Sequence, residues 1–184
     1  MTTWTIDKTH TQIGFKIKHL VISTVSGKFT SFEGKLEGEP EDLKNAKISF
    51  TADIDSIHTG NDHRDGHLKS ADFFDAAKYA KLSFVSTSIE HRDGSEYKLT
   101  GNLTIKDVTK AVTLNAEFGG IQNNLYGQTV AGFEITGKIN RQDFGLTWSA
   151  VTEAGGIVVS DEVKLVIEAE LVKEAVAVEE AVEA

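Results

Sequence analysis

The chain has no cysteine, and only one proline and one methionine, in 184 residues. Without cysteine there is no disulfide framework, no thiol nucleophile and no zinc site built on thiolates. Nowhere do about 18 apolar residues run together, so no membrane-spanning helix is encoded. The opening stretch MTTWTIDKTH lacks the basic segment and apolar run of a signal peptide. A cytoplasmic location is therefore expected, or a periplasmic one if a leader has been removed. Cations are also in deficit: 19 Lys and Arg stand against 28 Asp and Glu, a net charge of -9. That balance repels phosphate backbones and anionic surfaces, so nucleic acid is not an expected partner. The nucleophile elbow GxSxG, a phosphate loop and a dinucleotide fingerprint are all missing. On these residues an enzyme is unsupported, and no cofactor is expected.

What remains is an ordinary globular composition, 40% hydrophobic and 26% charged, of a length that fits one domain. Its dominant pattern is alternation. QIGFKIKHL sets Ile13, Phe15 and Ile17 opposite Lys16 and Lys18. AVTLNAEF groups Val112, Leu114, Ala116 and Phe118. AGFEITGKI groups Phe133, Ile135 and Ile139, and VKLVIEAEL groups Val163, Leu165, Ile167, Ala169 and Leu171. A period of two with one polar face means antiparallel strands, wet on one side and buried on the other. RDGS at 92–95 and GGIQNN at 119–124 carry hairpin-loop chemistry, and EGEPEDLKNA at 37–46 reads as a surface connection. Many short strands with regular turns make a sandwich or a barrel. Two stretches break the pattern. HLVISTVSG at 19–27 is expected to be a short helical turn or irregular crossover. From about Asn61 to Ala77 a short helix is expected, capped by Asn61 or Asp62, with Leu68, Ala71, Phe73 and Phe74 on its apolar side. Residues 1–172 form the expected domain. Residues 173–184 are an acidic, low-complexity tail.

The segment NDHRDGHLKSADFFD, residues 61–75, concentrates the chemistry. His63 and His67 are four apart and would share a helix face, with Asp65 adding an oxygen ligand. This is the basis of an alternative reading, a metal-dependent hydrolase or metal-binding module. Against it, Arg64 takes the place of the glutamate in HExxH and opposes a divalent cation. A calcium loop through Gly66 has too few carboxylates. The structural reading has Arg64 and nearby acids tying the segment to the strands through charge-assisted hydrogen bonds, with no metal bound. The ten phenylalanines fit either a packed core or an apolar lumen, since about eight strands enclose room for one small ligand.

The order of motifs resembles the YceI-like family of polyisoprenoid- and lipid-binding proteins. WTIDKTHTQIGFKIKHL, VSGKFTSFEGKL, DIDSIHTGNDHRDGHLKSADFFDAAKY, YKLTGNLTIKDVTKAVTLNAEFGG and GFEITGKINRQDFGL carry the resemblance, from Trp4 to about Leu171. It implies an all-β fold: an extended, lipocalin-like antiparallel barrel of about eight strands with one or two short helical segments. It also implies no catalytic residues, hence no enzyme, but non-covalent binding, for carriage or storage, of a long-chain apolar lipid such as a polyisoprenoid or a fatty-acid-derived amphiphile, and a homodimer. The candidate lumen residues are Phe15, Ile17, Leu20, Phe73, Phe74, Phe84, Leu103, Phe118, Phe133, Ile135 and Phe144. At the pore mouth the candidates are His19, Arg64, Asp65, His67, Arg141 and Asp143. Phe73 and Phe74 would point into the lumen from a lid. Arg64 and Asp65 would hold that lid to the wall, and Arg141 and Asp143, beside Phe144, would repeat the same chemistry as its counterpart.

Overall fold

A computed structural model describes residues 2–149 and 158–175. Eleven strands and one α-helix are found among them. The strands are β1 (Thr3–Ile6), β2 (Gln12–His19), β3 (Ser23–Phe29), β4 (Phe32–Glu39), β5 (Asp42–Asp53), β6 (Ile57–His58), β7 (Lys81–Asp93), β8 (Glu96–Ile105), β9 (Val108–Asn123), β10 (Thr129–Asn140) and β11 (Val159–Lys173). The helix α1 covers Asp62–Lys69. Three pairs are single strands broken by a bend. β1 and β2 both run along β11, β1 and β2 face β4 and β3, and these in turn face β5 and β6. Counted this way the wall has eight staves in chain order, every neighbour antiparallel. The last closes on the first, which leaves short β6, paired with β3 alone, as the end of the strand order.

The bend between β1 and β2 has a local cause. Asp7 accepts from the Thr9 amide at 2.9 Å and contacts His10 Nδ1 at 2.9 Å, an Asx-type turn. The Asp7 amide donates to the Glu170 carbonyl at 2.8 Å, which fastens the bend to β11. One end of the barrel is packed shut around Trp4, Leu36, Leu43 and Leu99, all at or below 2% exposure.

Four expectations are corrected. Residues 19–27 are neither helical nor a crossover: β2 and β3 form a hairpin, with Leu20 (φ 53) and Val21 (φ 66) in the left-handed region. Glycine or asparagine ordinarily fills such positions, so the turn has no sequence signature. GGIQNN is mostly strand. β9 runs on to Asn123, the turn follows it, and a bulge at Gly132/Phe133 absorbs the glycine pair. The connection at 37–46 shrinks to a tight turn between β4 and β5, with Pro40 buried. The helix is capped by Asn61 as expected, its side chain accepting from the Arg64 amide at 3.0 Å. It ends at Lys69, so Phe73 and Phe74 project from turns beyond it and Ala71 is exposed. The tail from 176 onward and the glycine pair at 155–156 lie outside the described residues.

Candidate functional site: an apolar lumen with a clamped mouth

Alternation carries the inward residues of every stave into one cavity of about 430 Å³. Along β11 its lining runs from Val159 to Leu171. Twelve steps of about 3.3 Å, tilted as barrel strands are, give roughly 30 Å of depth. So small a volume over that depth is a narrow channel, and nearly all of its wall is aliphatic or aromatic.

Of the candidate lumen residues, Phe15, Ile17, Phe73, Phe74, Phe84, Leu103, Phe133 and Ile135 line this channel. Three do not. Leu20 sits on the strained hairpin tip, 38% exposed. Phe118 packs against Phe133, ring centroids 5.3 Å apart, outside the lining. Phe144 is buried in a 3-10 turn at Arg141–Phe144, also outside the lining.

The mouth is held by two arginines. Arg64 donates from Nε to Thr59 Oγ1 and from Nη2 to the Thr59 carbonyl, both at 2.7 Å. Buried Asp65 accepts from the Thr59 amide at 2.9 Å. Arginine and acid thus grip one threonine and fix α1 to the end of β6. Arg141 is 2% exposed and donates to the carbonyls of Leu146 (2.6 Å), Trp148 (2.7 Å) and Ser160 (2.9 Å). Burial pushes its pKa down, opposed by Asp161 at 3.4 Å. The expected repeat of the Arg64 and Asp65 chemistry at Arg141 and Asp143 holds for the arginine and not for the acid. The 3-10 turn sends Arg141 inward and leaves Asp143 exposed, and the carboxylate that meets the guanidinium is Asp161.

His67 lines the channel and stands edge-on to Trp148 (4.8 Å) and Phe73 (5.1 Å), with Nε2 at 3.0 Å from Asp72. His19 also reaches the lining. Trp148 was not among the candidates: it lies in a segment without periodicity, and only its size marked it. The metal reading does not survive the geometry. Asp65 faces Thr59, His67 faces the aromatic cluster, and His63 is exposed. Among the described residues, Asp7, His10 and Glu170 are the group whose ligand atoms fall within 4.8 Å of one another. They lie at the β1–β2 bend, with the Asp7 oxygens already engaged by Thr9 and His10.

A closed up-and-down meander of eight staves around an apolar channel, with one short helix at its mouth, is a lipocalin-like barrel. The family model described as YceI-like domain matches residues 4–171, and the chain belongs to that family. UPF0312 protein SAS2572 of Staphylococcus aureus (strain MSSA476) is 39% identical over 171 residues, 92% of this chain and 97% of that protein. The crystal structure of the Campylobacter jejuni YCEI protein superposes with a TM-score of 0.74 at 38% identity, covering 92% of this chain and 96% of that one. A polyisoprenoid binding domain from Saccharophagus degradans, implicated in plant cell wall breakdown, shares the fold. Its TM-score is 0.67 at 15% identity, over 93% of this chain and 98% of that one.

Proposed function

We propose that the chain is a non-enzymatic binding protein that holds one long-chain apolar molecule, a polyisoprenoid or fatty-acid-derived amphiphile, along the lumen. The observation that carries this reading is the channel itself: narrow, roughly 30 Å deep and apolar along its wall. The two arginines at its mouth are spent on Thr59 and on backbone carbonyls, which leaves neither guanidinium free for a ligand. Burial contributes about 0.8 kcal/mol per methylene, so some ten buried carbons offset the ordering cost of binding. Selection is then by length and width. The polyisoprenoid-binding neighbour supports the same class of ligand.

Native mass spectrometry of the purified protein tests the proposal. The expected result is a co-purifying mass removed by organic solvent and restored by an added polyprenol or fatty amide. Clean protein that also ignores both additions overturns it.

A further inference from the structure

Residues 8–32 hold four lysines and no carboxylate, in a chain with 28 Asp and Glu and a net charge of -9. No other stretch of the sequence runs as long without an acid. Most of it is the β2–β3 hairpin, which stands at the channel mouth. Ile17, His19 and Val25 line the channel, and the Leu20 amide donates to the Val158 carbonyl at 2.9 Å. Lys16 and Lys18 alternate with Ile17 and are exposed on the outer face. β6 joins β3 only at Lys28 and Phe29, so from Ser23 to Gly27 the strand paired with β3 among the described residues is β2.

The tip of this hairpin has the wrong residues for a turn in water. Leu20, Val21 and Ile22 are 38%, 72% and 85% exposed. Leu20 (φ 53) and Val21 (φ 66) are held in the left-handed region, which a β-branched residue rarely adopts and which glycine or asparagine takes without strain. Strain and a run of exposed apolar side chains thus meet at one point, a combination that marks contact sites.

Size and charge decide what covers the tip. A stable contact between two proteins takes about 800 Å² and about 20–30 residues a side, far more than three side chains supply. A short apolar tip backed by cations fits the interface of an anionic bilayer. The aliphatic groups enter the boundary between headgroups and acyl chains, and the lysine stems lie along it with their ammonium groups at the phosphates. The basic face also continues sideways. Lys16, Lys164 and Lys138 stand opposite one another on β2, β11 and β10, a row that like charges disfavour. The overall charge does not cancel this attraction, because charges more than about 8 Å away are screened at physiological ionic strength. The acids at the adjoining end of β11 are engaged, Asp161 by Arg141 at 3.4 Å and Glu162 by Lys138 at 3.8 Å.

We infer that the β2–β3 hairpin docks the barrel on an anionic phospholipid bilayer. Leu20, Val21 and Ile22 enter the interfacial layer, Lys16 and Lys18 meet lipid phosphates, and the channel mouth opens against the membrane. This contact needs no lipid in the lumen, so it goes beyond the lumen reading and does not depend on it.

Flotation of the full chain with vesicles tests the inference. One set of vesicles is phosphatidylglycerol and phosphatidylcholine in equal parts, the other phosphatidylcholine alone. The wild type should bind the first about tenfold or more tighter than the second, and high salt should erode that preference. Val21→Gly/Ile22→Ser should weaken binding to the anionic vesicles about tenfold or more. Glycine relieves the left-handed position, so this variant should resist urea at least as well as the wild type, and its lost binding is not lost folding. Lys16→Gln/Lys18→Gln should weaken binding to the anionic vesicles by a similar factor and leave the phosphatidylcholine vesicles unaffected. A wild type that floats with neither vesicle overturns the inference. So does binding that survives the tip substitution, or that ignores phosphatidylglycerol and the lysine substitution alike. Self-association of the wild type in sedimentation velocity, abolished by Val21→Gly/Ile22→Ser and without vesicle binding, would make the tip a contact between copies and also overturns it.

Discussion

Replacing Arg141 by methionine should destabilise the barrel by about 3–5 kcal/mol, the scale on which removing one partner of a buried charged network acts. The magnitude follows from what the side chain holds. Four carbonyls, on Leu146, Trp148, Ser160 and, at 3.4 Å, Val159, accept from the guanidinium of a residue that is 2% exposed. Hydrogen bonds to a charged group are worth about 1.5–3 kcal/mol each, and a buried carbonyl left without a donor costs about 1–3 kcal/mol. Methionine returns part of this, because its stem packs where the arginine stem did and no charge is desolvated. Asp161 contributes little, being 54% exposed. Lysine should recover only a fraction, since one ammonium lacks the fork that reaches carbonyls on two segments. Urea unfolding measures the stability. Tryptophan emission reports the mouth, because Trp4 is buried at the closed end and Trp148 is at the open end against His67 and Phe73. A red shift should accompany the loss of stability. An Arg141→Met variant within about 0.5 kcal/mol of wild type, with unshifted emission, would show that those carbonyls find other donors and that the clamp is dispensable.

Gly27→Ala should fold to within about 1 kcal/mol of wild type yet accept shorter chains. The new Cβ would lie 2.3 Å from Phe15 Cζ and must push that ring off the wall into the channel; an unchanged chain-length preference across a series of alkanols would refute this. The bend at Asp7 should give stability a pH window. Asp7 is held down to about 2, chiefly by its hydrogen bond with His10, and His10 is raised above 6.5, chiefly by the same bond. The Asp7 contribution is present above its ordinary 3.8 and is lost as pH falls toward about 2, while that of His10 is present below 6.5 and is lost as pH rises through its raised value. Urea midpoints should therefore be highest between roughly pH 4 and 6.5, and His10→Gln should flatten the alkaline side. A wild-type profile that does not fall on the alkaline side would refute the pairing.

The strands that build the lumen were legible because a half-buried strand writes its two faces into alternate residues. Ile13, Phe15 and Ile17 on β2, Phe133, Ile135 and Ile139 on β10, and Val163 to Leu171 on β11 all face inward as their spacing requires. The misreadings share another cause, local chemistry overruled by the tertiary frame. Leu20 and Val21 occupy left-handed positions with no glycine or asparagine to announce a turn. Gly119 and Gly120 announce a turn and instead sit in a strand, where Gly119 is the extra residue of a bulge. His63 and His67 do lie on one helix, but the helix is gripped through Thr59, which leaves His63 in solvent and aims His67 at Trp148. Arg141 and Asp143 are neighbours in sequence and opposites in the fold, because a 3-10 turn separates their directions.

Whether the lumen is hollow depends on glycines more than on phenylalanines. Eight strands enclose an interior that side chains alone can fill, so a row of inward aromatics would ordinarily close it. Here the large side chains lie along the wall. A Cβ on Gly27 would meet the Phe15 ring at 2.3 Å, one on Gly101 would meet the Phe84 ring at 2.3 Å, and one on Gly137 would meet Leu114. In each case a stave without a side chain gives a neighbouring side chain a flat seat, and the space that side chain vacates near the axis becomes part of the channel. The arrangement keeps the rings in contact with backbone, so hollowness forfeits less dispersion energy than an empty core of the same volume would. It also gives the bound chain stiff, flat surfaces instead of mobile side-chain ends. A channel built this way discriminates by cross-section: a linear or gently branched chain slides along ring faces, and a fused-ring ligand meets walls that are backed by main chain and cannot withdraw.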